Sequence, residues 1–166
     1  MIKSLEFYFD FISPYSFLAH KEIIKIEKKN SFKLIYKPIL LGGLHNLHGI
    51  KAPAFIPAKA KHMIRDCKLI AEKNSIKFKF NTYFPIKSLN LMRGVFVAEE
   101  DNFKKYYIDS IFNSIWQDGL NMNDENIINK FDYKKFNIKR FSDDYMKDFW
   151  NLVQGEENTL HRQGKN

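Results

Sequence analysis

Cysteine is nearly absent: Cys67 stands alone in 166 residues. One cysteine closes no internal disulfide and excludes four-cysteine zinc sites. That usage fits a reducing compartment, so the cytoplasm is the expected location. Arginine is scarce as well, confined to positions 65, 93, 140 and 162. The net charge of +8 therefore rests on lysines, dispersed in runs no longer than two. Arginine supplies most bidentate recognition of bases and phosphates. The charge thus describes a solvated surface, and no nucleic-acid partner is expected, although an anionic small molecule would benefit from the positive field. No apolar run approaches the ~20 residues that span a bilayer. The opening MIKSLEFYFDF has no long apolar core and no small-residue cleavage site, so neither a membrane anchor nor a signal peptide is expected. Glycine and proline number only 7 and 5, too few for a linker-built chain. His45 and His48 lie three apart without a third ligand, so no metal site is expected.

What is abundant is apolar and aromatic. Hydrophobic residues make up 45% of the chain, with 16 Phe and 8 Tyr, enough for one domain or one domain carrying an insertion. Leu5, Phe7, Phe9 and Phe11 alternate with Glu6, Tyr8 and Asp10, the period of a strand. Ser13-Pro14 then reads as N-cap and first helical residue. Tyr15, Leu18, Ala19, Ile23 and Ile26 form a helical stripe that ends in the polar KKN of 28–30. FKLIYKPIL (32–40) reads as a second strand, and strand–helix–strand makes a parallel crossover. Residues 42–56 read as a loop. PAKAKHMIRDCKLIAEKN (57–74) is one helix, in which Cys67 falls in the apolar series Ala60, Met63, Ile64, Ile70, Ala71 and is expected to be a buried thiol. NTYFPIK (81–87) is a connector, and helices are expected over 88–100, 103–119 and 124–131, with Gly119 as a stop. A last helix is expected over 142–153, followed by a frayed polar tail over 155–166. Two parallel strands alone make a poor sheet with both edges open.

Local chemistry concentrates at FYFDFISPYSFLAH (7–20). A strand running into a helix N-terminus aims backbone N–H groups and the helix dipole at an anion. Redox proteins place two cysteines at the spacing held here by Ser13 and Ser16, so disulfide exchange is not expected. A serine hydroxyl can instead donate to a thiolate carried by a ligand, and a thiolate is a nucleophile near neutral pH. Ser13 lacks an adjacent general base and is a poor nucleophile itself. The alternative is that Ser13 is only a helix cap.

FYFDFISPYSFLAH closely resembles the start of the 2-hydroxychromene-2-carboxylate isomerase and kappa-class glutathione transferase family, a DsbA-like branch of the thioredoxin superfamily. The resemblance continues through KPILLGGLHNLHGIKAP (37–53), PAKAKHMIRDCKLIAEKNSIKF (57–78), SLNLMRGVFVAEE (88–100) and YYIDSIFNSIWQDGLNMND (106–124), covering about residues 2–131 in order. It implies an α/β thioredoxin-like β-α-β start interrupted by a large helical domain. The implied division is 1–56 for the first half of the thioredoxin-like domain, 57–135 for the helical domain and 136–166 for a divergent tail. It implies glutathione as cofactor, bound at the Ser-Pro corner, with Ser13 promoting thiolate formation. Pro14, Tyr15, Lys51, Pro53 and Lys59 are then cofactor contacts, and His45 is a substrate contact. The expected partners are an aromatic or electrophilic small molecule and a second copy of the chain.

The resemblance has departures. The transferase Gly-Asn-Lys-Pro-Pro run reads Gly49-Ile50-Lys51-Ala52-Pro53 here, so a polar contact is lost at Ile50. Arg65 and Asp66 lie on the helix that flanks the site in the family, where a surface ion pair is an equal alternative. GEENTLHRQGKN (155–166) lacks the family's cis-proline strand, its hairpin partner and its final helix, so the C-terminal part of the thioredoxin fold is expected to be missing through truncation or frame shift. Three functions compete on these grounds: a glutathione-dependent isomerase, a kappa-like transferase, and an inactive remnant.

Overall fold

A computed structural model describes residues 3–30, 32–100 and 103–130. The chain runs β1 (Lys3–Phe9), α1 (Pro14–Lys29), β2 (Phe32–Pro38), α2 (Leu41–Leu47), a 3-10 turn (Pro53–Phe55), α3 (Pro57–Lys73), α4 (Leu89–Glu100), α5 (Lys104–Trp116) and α6 (Glu125–Lys130). The strands pair in parallel, Lys3 opposite Phe32 through Phe9 opposite Pro38, with α1 as the crossover. Among the described residues they are the whole sheet. The expected helices over 142–153 and the tail beyond them lie outside the described residues.

Among the described residues the expected strands and long helices are present, with differences that have physical causes. β1 stops at Phe9, because the Phe9 carbonyl accepts the Ile39 N–H at 2.9 Å and the chain then turns on itself, the Ser13 N–H donating to the Asp10 carbonyl at 3.0 Å. Phe11 therefore leaves the strand and is wholly buried against Phe112, 4.9 Å between ring centroids. The apolar stripe expected on α1 is displaced: Pro14, Phe17, Leu18 and His20 are buried, whereas Tyr15 and Ile26 are exposed. Cys67 is a buried thiol, as expected. Gly119 ends the α5 region in the left-handed conformation, φ 67°.

One hydrophobic core runs from the strands into the later helices. Phe9, Phe11 and Phe17 join Phe112 and Trp116 of α5 in the same buried cluster. The Trp116 indole N–H donates to the Phe11 carbonyl at 2.9 Å, which satisfies a carbonyl that the strand ladder has abandoned. Asn81, also buried, stitches the 81–87 connector to the end of α5. Its amide donates to the Ile115 and Leu120 carbonyls at 3.0 and 2.9 Å, and its oxygen accepts the Tyr83 N–H at 2.8 Å. Aromatic pairs of this kind add about 0.5–1.5 kcal/mol each beyond area burial. The corner between β1 and α1 is thus backed by α5 and has little freedom to drift.

Candidate functional site

Ser13 is the N-cap of α1. Its backbone is extended (φ −88°, ψ 115°), and its Oγ accepts the Ser16 N–H at 3.2 Å. Pro14 at the first helical position has no N–H to leave unsatisfied and a φ already set for the helix. The capping bond uses an oxygen lone pair of Ser13, so the hydroxyl proton remains available to donate to a ligand. Cap and ligand donor are therefore compatible roles for one oxygen.

Asp10, placed by the sequence only in the strand alternation, organises the ground beneath the corner. It is 1% exposed. Its Oδ1 accepts the Ile12 N–H at 3.0 Å in a local Asx turn, and its Oδ2 accepts the Leu41 N–H at 2.8 Å, capping α2. Ser88, at the entry to α4, also bonds the carboxylate. Burial pushes the Asp10 carboxyl up from its ordinary range, and these donors pull against that push. This explains the main correction to the sequence reading. Residues 42–56 are not a plain loop: Leu41–Leu47 is helical, although Leu40 at its N-cap offers no side-chain bond. The cap comes from a residue 31 positions earlier.

Helix α3 supplies the facing wall. The Tyr15 hydroxyl donates to Asp66 Oδ2 at 2.8 Å near one end, and Lys25 Nζ donates to the Asn74 carbonyl at 2.9 Å near the other. The two helices therefore run parallel. Because α3 starts at Pro57 and α1 at Pro14, roughly 13 Å of α3 projects past the level of Tyr15 and overhangs the N-terminus of α1. Asp66 is thus engaged by Tyr15, across the helix pair, and Arg65 is exposed. Beside that contact, burial first and the Asp66 charge second push the Cys67 thiol up to about 12, so it stays protonated and inert. Tyr15 is likewise pushed up, by burial of its hydroxyl and by the bond to Asp66.

Between the overhang, α2 and the corner lies a cavity of about 1090 Å³. Ser13, Pro14, Tyr15, His45, Lys51, Pro53 and Lys59 all line it, so the structure brings together every site residue named from the sequence. Ile50 lines it too, where it adds an apolar wall with Phe55 and Phe84. His62, which the sequence reading passed over, faces the same space. The lining carries His45, Lys51, Lys59 and His62 and no Asp or Glu. With the α1 dipole, that set favours an anionic ligand with an apolar body. His48 is exposed and outside the lining. No cluster of three or more metal-ligating side chains occurs among the described residues. No helix among them is long and apolar enough to cross a membrane.

Comparison with known proteins agrees with this fold. A family model described as a DSBA-like thioredoxin domain matches residues 4–133. A 2-hydroxychromene-2-carboxylate isomerase of Sphingobium xenophagum is 26% identical over 128 residues, 76% of this chain and 65% of that enzyme. Glutathione S-transferase kappa 1 of Caenorhabditis elegans is 36% identical over 69 residues, 41% of this chain and 30% of that protein. A solved 2-hydroxychromene-2-carboxylate isomerase superposes with a TM-score of 0.67 at 22% identity, over 75% of this chain and 61% of its own. The chain thus spans less than two thirds of the length of these relatives.

Proposed function

The chain belongs to the DSBA-like thioredoxin domain family, and on that footing we propose that its Ser-Pro corner binds glutathione in a glutathione-dependent isomerase of the 2-hydroxychromene-2-carboxylate type. The observation that carries the reading is the convergence of all seven residues on one cavity at the N-terminus of α1. The residues fit the cofactor. Glutathione is a carboxylate-bearing tripeptide with a thiol, and the cavity has basic side chains, no acidic one, a hydroxyl donor at its floor and ample volume.

Glutathione, when bound, would supply a sulfur nucleophile for reversible addition, the chemistry that ring opening and cis/trans isomerisation need. The protein's own groups do the rest. The Ser13 hydroxyl would donate a hydrogen bond to the sulfur and favour its ionised form, and the α1 N-terminus would reinforce it. Lys51 and Lys59 receive ligand carboxylates. Pro14, the Tyr15 backbone and Pro53 shape the wall, and His45 on α2 meets the carboxylate of the second substrate. Ile50, Phe55 and Phe84 exclude water from its apolar body. In this reading residues 1–56 form the corner half and 57–135 the helical part, in a cytoplasmic enzyme that pairs with a second copy of itself.

A second reading, a kappa-like transferase conjugating electrophiles, draws on the 36% identity to the Caenorhabditis elegans protein. One assay separates the two. Conversion of 2-hydroxychromene-2-carboxylate is followed by absorbance with and without glutathione. Catalytic turnover at substoichiometric glutathione supports the isomerase. Stoichiometric consumption of glutathione by an electrophile, with no ring opening, supports the transferase.

A further inference from the structure

We propose that His62 is the proton acceptor for the ligand sulfur at the Ser13 corner, an acid–base residue of the site. The inference rests on the glutathione reading above and deepens it. Its ground is the parallel packing of α1 and α3. The Tyr15 hydroxyl donates to the Asp66 carboxylate at 2.8 Å, which ties α3 to the first turn of α1. His62 lies four residues earlier on the same helix face, about 6 Å further along the axis. His62 thus lies on the N-terminal side of the Tyr15 contact, in the stretch of α3 that carries Ala58 and Lys59 into the same cavity lining as Ser13 and Pro14. Its place in the cavity lining agrees.

The other groups around the corner cannot take this proton. Ser13 uses a lone pair on the Ser16 N–H and offers its own proton to the sulfur. The Tyr15 hydroxyl donates to Asp66, which occupies both. Lys51 and Lys59 face the cavity, where the proposed function sets them against the ligand carboxylates. His45 faces the cavity from α2, a separate element from α3. Imidazole is the side chain that ordinarily exchanges a proton near neutral pH, and of the two in the cavity only His62 is on the overhang.

The step balances simply. The S–H bond breaks, its electron pair stays on sulfur, and the proton forms an N–H bond on the unprotonated nitrogen of His62. The resulting imidazolium faces the sulfur as an ion pair, the arrangement that lowers thiol pKa in His-paired cysteines. His62 returns the proton to the substrate atom that gains the displaced electron pair when sulfur bonds the substrate. Lys51, Lys59 and His45 share the same cavity, and Asp66 is the carboxylate one turn along α3.

The test compares wild type with His62→Gln, an exposed position where glutamine keeps polarity without proton exchange. Ultraviolet thiolate absorbance of bound glutathione is recorded against pH, beside calorimetric Kd values for glutathione and for S-methylglutathione, which has no thiol proton. The expected result is a roughly tenfold smaller thiolate fraction at neutral pH in His62→Gln. Binding of glutathione should weaken, and the Kd for S-methylglutathione should stay within about twofold, since it makes no demand on a proton acceptor. An unchanged thiolate titration overturns the role of His62 alone. Equal weakening for both ligands also overturns it, because His62 would then be a general contact. A wild-type chain that binds neither ligand overturns the glutathione reading and this role with it.

Discussion

Asp10 and Ser13, three residues apart, hold the corner by different bonds, and substitution should tell them apart. Asp10→Ala strands the part-buried Ile12 and Leu41 N–H groups without their acceptor. Such loss costs about 1–3 kcal/mol per group. Urea denaturation should therefore show a drop of roughly 2–4 kcal/mol, with Asp10→Asn milder because its amide oxygen can keep one of the two bonds. Ser13→Ala removes only a cap, worth about 1 kcal/mol, and its main effect should fall on ligand binding. The sequence made Ser13 legible because cap, proline and helix stripe are neighbours. Asp10 was half legible. Its Asx turn to Ile12 is local, but its bond to Leu41 exists only once the strand pair has brought residues 10 and 41 together. His62 was missed for a related reason: nothing in its own neighbourhood says where the helix overhangs.

At the scale of elements, glycine acts in opposite ways in two helices, α2 and α4. Two histidines and a proline made 42–56 look like a loop, yet α2 forms because Asp10 caps it. A Cβ built at Gly42 meets nothing within 4 Å. Gly42→Ala should thus raise stability by about 0.5–1 kcal/mol through helix propensity alone. Gly94 in α4 is the opposite case. A Cβ there would collide with the Tyr107 phenol of α5, whose hydroxyl donates to the Leu91 carbonyl at 2.8 Å. Despite alanine's better propensity, Gly94→Ala should destabilise by about 1–3 kcal/mol. Thermal melts of the two variants should move in opposite directions. The long helices α1 and α3 were legible from capping and periodicity. The face that α1 buries was not, because it is set by the position of α5, a hundred residues away.

At the scale of the whole molecule, α1, β2 and α5 are joined through a buried histidine. His20 is wholly buried, its Nε2 3.1 Å from Asp109 Oδ1 and its Nδ1 3.4 Å from the Tyr36 hydroxyl. The network assigns a neutral ring that donates to Asp109 and accepts from Tyr36. Burial lowers the His20 pKa below its ordinary 6.5, outweighing the pull of Asp109. The hydrogen bond from His20, with Lys21 at 2.6 Å, holds Asp109 well below the usual carboxylate range. The signs follow from linkage. Below pH 6.5 the unfolded chain takes up a proton at this histidine before the folded chain does, so His20 stabilises above that pH and the contribution falls as pH drops through it. Asp109 contributes in full above its ordinary 3.8 and loses its contribution only below that, as pH falls towards its lowered folded value. The melting temperature should therefore decline between pH 7 and 5, and decline less in His20→Gln. An identical slope in both proteins would assign the decline elsewhere.

The account turns on whether the Ser13 corner takes glutathione, and the most direct measurement is a calorimetric titration of glutathione into the 166-residue chain with Ser13→Ala alongside. The account predicts saturable one-site binding, weakened roughly tenfold or more by the substitution, as loss of a charge-assisted hydrogen bond requires. No binding by a chain that circular dichroism shows to be folded, or equal binding by both proteins, would contradict it. The first of those results would support the remnant reading.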